Sequence, residues 1–251
     1  MAMRRVVAGV VLAVQGPTSC ASGAVTVATC EPFGTVSVRE GRYIVQQNEW
    51  NATSRQCIRV SGTTWTITRA SFDLPTDGPP ATYPSIFRGC HWGLCTRDDP
   101  LPIRVGDLRS ATSSWDTELV TSGAYNVAYD LWTSTTNVPA GQPDGSEVMI
   151  WLSSRGRVQP AGSIVGRVSI DGVTWDVWTA RMSGWNYVAY ERRDRTRSVM
   201  DLDLKAFVDE SVRRGITNSS WYLIGAEAGF EIWRGGEGLG TNSFSFRAAA
   251  A

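Results

Sequence analysis

From about residue 29 onward the chain is cut into short runs rich in β-branched and aromatic residues, each closed off by a cluster of turn residues. "TVSVREGRYIVQQNEW", "TTWTITRASF", "AYNVAYDLWTS", "SEVMIWL", "TWDVWTAR" and "WYLIGAEAGFEIW" are such runs. "DLPTDGPPATYP", "NVPAGQPDGS" and "RGRVQPAGS" are breaks between them. Val, Ile, Thr, Tyr and Trp suit a pleated, half-buried surface, and Gly, Pro, Asn and Asp end it. Only 198–215, "SVMDLDLKAFVDESVRRG", has helical spacing. There Leu202, Leu204, Phe207, Val208 and Val212 fall on one side, Arg213 and Arg214 suit the C-terminus, and Gly215 can cap it. Many short strands and one helix predict an all-β fold: a two-sheet antiparallel jelly roll, with the helix packed on the outside. No repeat, linker or shift in composition divides 29–247, which therefore reads as one domain. The alanines at 248–251 read as a disordered tail.

The first 28 residues have the build of a secretory signal. Arg4 and Arg5 precede a short apolar run at 6–14, and small residues offer cleavage near 24 or 28. Either cut removes Cys20, whose surroundings, "PTSC", match a lipoprotein site poorly. Cys30, Cys57, Cys90 and Cys95 then remain, an even set that implies disulfides in an exported chain. Adjacent pairing, Cys30 with Cys57 and Cys90 with Cys95, is the simplest of three connectivities. Lys plus Arg and Asp plus Glu both number 24. That balance gives no electrostatic reason to expect nucleic acid or membrane as a partner. A monomer is expected.

Acidic residues stand in three of the apolar runs. Side chains alternate along a strand, so Glu147, Met149 and Trp151 share one face of "EVMIW", opposite Val148 and Ile150. Gly229, Glu231 and Trp233 share a face of "GFEIW", and Asn126, Ala128, Asp130 and Trp132 share one of "NVAYDLW". An unpaired charge is costly to bury. Three acids, each beside an aromatic and each backed by an apolar face, therefore predict a concave groove floored by strands. The eleven tryptophans add flat faces on which sugar rings can stack. Two carboxylates across a sugar groove are the equipment of glycoside hydrolysis, one ionised and one protonated. His91 is the only histidine, which excludes a multi-histidine metal site. No nucleophile elbow and no phosphate-binding glycine loop is present.

"YIVQQNEWN", "YPSIFRGCHW", "YDLW", "EVMIWL", "VQPAGS", "AGFEIW" and "GLGTNSFSF" resemble, in this order, glycoside hydrolase family 12, from about Cys30 to Phe246. The resemblance implies a jelly roll whose concave sheet is the substrate cleft. It also implies cleavage of internal β-1,4-glucosidic bonds of cellulose-like or mixed-linkage glucans with retained configuration, and no metal or cofactor. It assigns Glu147 as nucleophile, Glu231 as general acid/base and Asp130 as the nucleophile's hydrogen-bonded neighbour. It suggests Asn48, Trp50, His91, Trp92, Asn126, Met149, Trp151 and Pro160 as sugar contacts. Asn51 stands where the family usually has Gly, and its side chain could intrude on the cleft. Trp185 is left unassigned between cleft and surface. The competing readings are a non-catalytic glycan-binding jelly roll, and a xylanase or xyloglucanase on the same fold.

Overall fold

The computed structural model describes residues 25–52, 54–138 and 141–251; the expected signal at 1–28 lies almost wholly outside them. Two sheets pack face to face. The outer sheet is six-stranded and antiparallel, in the order Thr26–Thr29, Cys57–Ser61, Thr64–Arg69, Gly240–Ala250, Leu108–Glu118, Ser198–Asp203. The main path of the inner sheet runs Ser163–Ile170, Val173–Arg181, Asn186–Arg192, Ser146–Arg155, Ala124–Ser134, Tyr222–Gly229, Ser85–His91, Tyr43–Gln46, Thr35–Val38.

The core forms where the two sheets meet, and strand alternation decides what enters it. Tyr125, Val127, Tyr129 and Leu131 point into it from one central strand, Val148, Ile150 and Leu152 from the next. Trp65, Trp115, Phe230 and Phe246 fill the space between. Fully burying side chains of this size contributes roughly 1.5–3 kcal/mol each. It fixes the register, because a one-residue slip would turn the core face outward. The opposite faces of the same strands are thereby committed to the concave side.

The sandwich departs from the sequence reading in four places. The inner sheet is not wholly antiparallel: Ser146–Arg155 and Asn186–Arg192 pair in parallel. Between them the chain crosses the end of the sheet and makes the hairpin Ser163–Ile170/Val173–Arg181, the long connection a parallel pair requires. The helix is shorter than 198–215. Ser198–Asp203 is an edge strand of the outer sheet, and Asp203 caps the helix Leu204–Arg213 by accepting from Ala206 N at 3.3 Å. Gly215, at φ +71°, ends it as expected. The run at 222–236 is two strands, broken at Phe230 and Glu231. There Phe230 N donates to Pro84 O at 3.2 Å, and Pro84 has no N–H with which to complete the ladder. Finally, the closing alanines are not a loose tail. Ala248, Ala249 and Ala250 pair with Ala111, Ser110 and Leu108, so the outer sheet extends over them.

The cysteines pair as Cys30–Cys57 and Cys90–Cys95. They close loops with sequence separations of 27 and 5, which in the chain-entropy account stabilise by ~3–4 and ~2 kcal/mol. Replacing Cys30 and Cys57 by Ser should therefore lower the urea midpoint more than replacing Cys90 and Cys95. Equal losses would show that strain or local contacts, not loop size, set the contribution.

Candidate active site

The concave floor is built by Ala124–Ser134 and the strands on either side of it. Trp132 lies opposite Glu147 and Asp130 opposite Met149 on one flank, while Asp130 lies opposite Glu227 on the other. Asp130 and Glu147 are thus diagonal neighbours on one face. Glu231 stands just past the strand break and is tied to the same central strand. Its backbone N–H donates to Asn126 Oδ1 at 2.8 Å, its C=O accepts from Asn126 N at 3.0 Å, and its Oε2 accepts from Asn126 Nδ2. Together they open onto a cavity of about 510 Å³, walled by Trp50, Tyr83, Trp92, Trp132 and Trp185.

Of the residues the sequence proposed as sugar contacts, Asn48, Trp50, His91, Trp92 and Met149 line this cavity, and Trp50 and Trp92 are 50% and 44% exposed. Three do not line it. Asn126 is buried, and its carboxamide serves Glu231 rather than a sugar. Trp151 is 1% exposed, packed with Val158, Trp178, Tyr187, Ala189 and Trp233 in a second apolar cluster. The alternation that put Trp151 on the face of Glu147 is correct, but the parallel neighbour and the crossover cover that end of the strand. Pro160, in the crossover, is also buried. Asn51 does not intrude: its Nδ2 donates to Pro80 O at 3.1 Å.

Two functional candidates escaped the sequence reading. Glu227 is 1% exposed. Its Oε2 accepts from Gln46 Nε2 and Ser85 Oγ, both at 2.9 Å, and its Oε1 is hydrogen-bonded to His91 Nδ1. With Nδ1 donating, His91 Nε2 is left for the cleft. Glu227 precedes Glu231 by four residues on the same alternating face, so the signal was present in "GAEAGFE". The second is Trp185, whose Nε1 donates to Glu147 Oε2 at 2.6 Å. It lies in a turn, where no strand period could assign its direction.

Burial raises every acid of the floor whose shift is resolved. Glu231 is pushed up to about 7, opposed by Asn126. Glu147 is pushed up to about 8 by burial, opposed by the Trp185 hydrogen bond and reinforced by the charges of Glu231 and Glu227. Asp130 is held well above the carboxylate range by burial, then by Glu147, Glu227 and Glu231. The interacting acids titrate as a group, and near neutrality the floor retains protons. Asp130 Oδ2 accepts from Trp132 Nε1 at 2.9 Å, whereas among the described residues buried Oδ1 receives no amide, indole or hydroxyl donor. A neutral Asp130 therefore carries its proton on Oδ1.

Indole walls accept the C–H faces of sugar rings, and a pair of carboxyl groups facing one cleft is what hydrolysis of a glycosidic bond requires. Fold and site together place the protein among glycoside hydrolases. The chain belongs to one family of these: residues 41–248 match the profile of glycosyl hydrolase family 12. It is 36% identical to a probable cellulase, Cel12b, of Mycobacterium tuberculosis over 145 residues, 58% of this chain and 95% of the relative. Among solved structures, a metagenome-derived family 12 endoglucanase superposes with a TM-score of 0.87 at 42% identity, covering 91% of this chain and 100% of that one. The endoglucanase cel12A from Rhodothermus marinus gives 0.85 at 44% identity, covering 90% and 100%.

Trp151→Ala should destabilise the fold by ~3–5 kcal/mol, as a large core truncation does. Trp50→Ala should leave the melting temperature unchanged and weaken oligosaccharide binding; a melting loss at Trp50 instead would make it a packing residue. The raised Glu231 gives a second expectation. Between its ordinary 4.5 and about 7 the unfolded chain loses a proton that the folded protein keeps, so wild-type stability falls as pH rises through this window. Glu231→Gln removes that loss. Its advantage in melting temperature over wild type should grow from pH 4.5 to 7 and then level off; a constant difference would contradict the raised value.

Proposed function

We propose that this protein is a secreted endo-β-1,4-glucanase acting by double displacement with retention of configuration. The observation that carries the proposal is the pair Glu147 and Glu231, both half-buried in the floor of one open, indole-walled cleft. Glu147, ionised, attacks the anomeric carbon and forms a glycosyl-enzyme. Glu231, protonated, gives its proton to the leaving oxygen, and afterwards takes one from the water that releases the sugar. Taken singly, Glu147 would keep its proton longer than Glu231, the reverse of these roles. The order belongs to the interacting group: burial raises Glu147 first, and repulsion from Glu231 and Glu227 adds to it. A proton kept on Asp130 Oδ1 leaves Asp130 neutral and removes one like charge from the neighbourhood of Glu147, which favours the charge on the nucleophile. One neutral acid beside one ionised acid is the arrangement their repulsion permits.

An open cleft admits a chain at any point along its length, which supports internal cleavage. The structures at 42% and 44% identity are endoglucanases, which favours unbranched β-1,4-glucan over xyloglucan. Xyloglucan-specific endoglucanases nonetheless stand among the relatives, one from Emericella nidulans at 30% identity. Two disulfides support export, and among the described residues no helix is long and apolar enough to cross a membrane. Residues 1–28 would act as the signal. Cleavage after Ala24 leaves the strand Thr26–Thr29 whole, whereas cleavage after Ala28 removes three of its four residues.

Release of reducing ends from carboxymethylcellulose, mixed-linkage glucan, xyloglucan and xylan tests the reading. Turnover on the first two should exceed that on xylan, and NMR should show the β-anomer forming first. Glu147→Gln and Glu231→Gln should each lose several orders of magnitude in kcat while remaining folded, as removal of a catalytic group does in other enzymes. A glycan-binding module would release nothing. An α-anomer would end the retaining assignment.

A further inference from the structure

We propose that Trp185 is a positioning residue for Glu147, and that the disulfide-closed loop at 90–95 acts on Glu147 through it by way of Trp92. The inference rests on Glu147 being the nucleophile.

The indole N–H is a donor only, and it meets Glu147 Oε2 at 2.6 Å. Oε2 is thereby held as an acceptor, and Oε1 is left as the oxygen free to attack. The ring that makes this bond is clamped by aromatic contacts. It meets Trp132 edge-on at 5.6 Å and Trp92 edge-on at 6.4 Å, and Trp92 in turn meets Trp132 edge-on at 5.0 Å. Trp132 donates its own N–H to Asp130. Two acids on adjacent strands are thus each held by an indole, and the two indoles hold each other. Such edge contacts are favourable beyond the area they bury.

The three rings come from distant parts of the sheet. Trp132 is on Ala124–Ser134, and Trp185 sits in the turn between Val173–Arg181 and Asn186–Arg192. Trp92 follows Ser85–His91, and the Tyr222–Gly229 strand lies between that strand and Ala124–Ser134. The tip of its loop turns through Trp92 at φ +44° and Gly93 at φ +82°, and the Cys90–Cys95 bond closes it. Trp92 therefore reaches across the cleft to the far wall while remaining 44% exposed. Core packing does not explain a ring so placed; it is held at the cleft by His91 at 4.7 Å and by its edge contacts with Trp132 and Trp185. On the other side, Trp185 follows Gly184 at φ +109°, where an added Cβ would come within 2.6 Å of Gln142 Nε2. The backbone on both sides of the clamp is thus set in conformations that favour Gly.

A hydrogen bond to a carboxylate favours its charged form. Without the Trp185 bond, Glu147 becomes harder to ionise, while Glu231, which Trp185 does not touch, feels the change only through its interaction with Glu147. The test is the pH profile of kcat/KM on an aryl β-cellobioside for wild type, Trp185→Phe, Trp92→Leu and the double variant. Phe keeps a ring in the clamp and removes the N–H. Its acidic limb should move up by about one pH unit, the size of one charge-assisted hydrogen bond, with the alkaline limb moving less. Trp92→Leu should move the same limb by less, and the double variant should move it no further than Trp185→Phe alone. An unshifted acidic limb in Trp185→Phe, whatever its melting temperature, overturns the positioning role. Full addition of the two shifts overturns the route through Trp92. Glu147→Gln is the control for the underlying reading. If it keeps turnover, that reading fails, and the positioning role with it. If it is inactive and the limb does not move, only the positioning role fails.

Discussion

The central strands of the inner sheet have two masters. One face of Ala124–Ser134 must place Tyr125, Val127, Tyr129 and Leu131 in the core, and the period of two then leaves Asn126, Asp130 and Trp132 on the concave face, where Asp130 and Trp132 line the cleft. The same holds for Glu147, set between Ser146 and Val148, and for Glu227, set between Ala226 and Ala228. Asp130, Glu147 and Glu227 are therefore placed by the same register that places the core. Loosening the core would blur the site before it unfolded the chain. That coupling makes the register of these strands the constraint on which everything else depends.

Electrostatics opposes the same arrangement. Asp130, Glu147 and Glu231 share one floor with Glu227 beside them; burial disfavours charge on all three, and repulsion from neighbouring acids adds to it at Asp130 and Glu147. The protein meets this with donors chosen one acid at a time: Asn126 for Glu231, Trp185 for Glu147, Trp132 for Asp130, and Gln46, Ser85 and His91 for Glu227. One donor each does not offset the burial of Asp130, Glu147 and Glu231, so protons remain in the site near neutrality. That residue of protons is what acid catalysis needs. A fold selected for stability alone would fill these positions with apolar side chains.

Much of this was legible before any coordinates. The turn punctuation gave the sandwich, and alternation put Glu147, Asp130 and Glu231 on the cleft side. The misreadings have local causes. Helical spacing at 198–215 ran on through residues that also alternate, and hydrogen bonding to the outer sheet claimed the first six. Trp151 has the right face but the wrong exposure, because what covers it comes from a crossover and a parallel neighbour that no local pattern announces. Trp185 sits in a turn, outside any period. Asn126 illustrates a subtler limit: its direction was readable, but that its amide would meet a carboxylate 105 residues away was not.

The account stands or falls on which carboxylate forms the bond to sugar. Treating the protein with a 2-deoxy-2-fluoro-β-cellobioside that bears an activated leaving group would trap the first intermediate, and peptide mass mapping would locate it. The account predicts stoichiometric labelling of Glu147 alone, with Glu231 unmodified. A label on Glu231, or turnover through a single displacement that leaves no label at all, would contradict it.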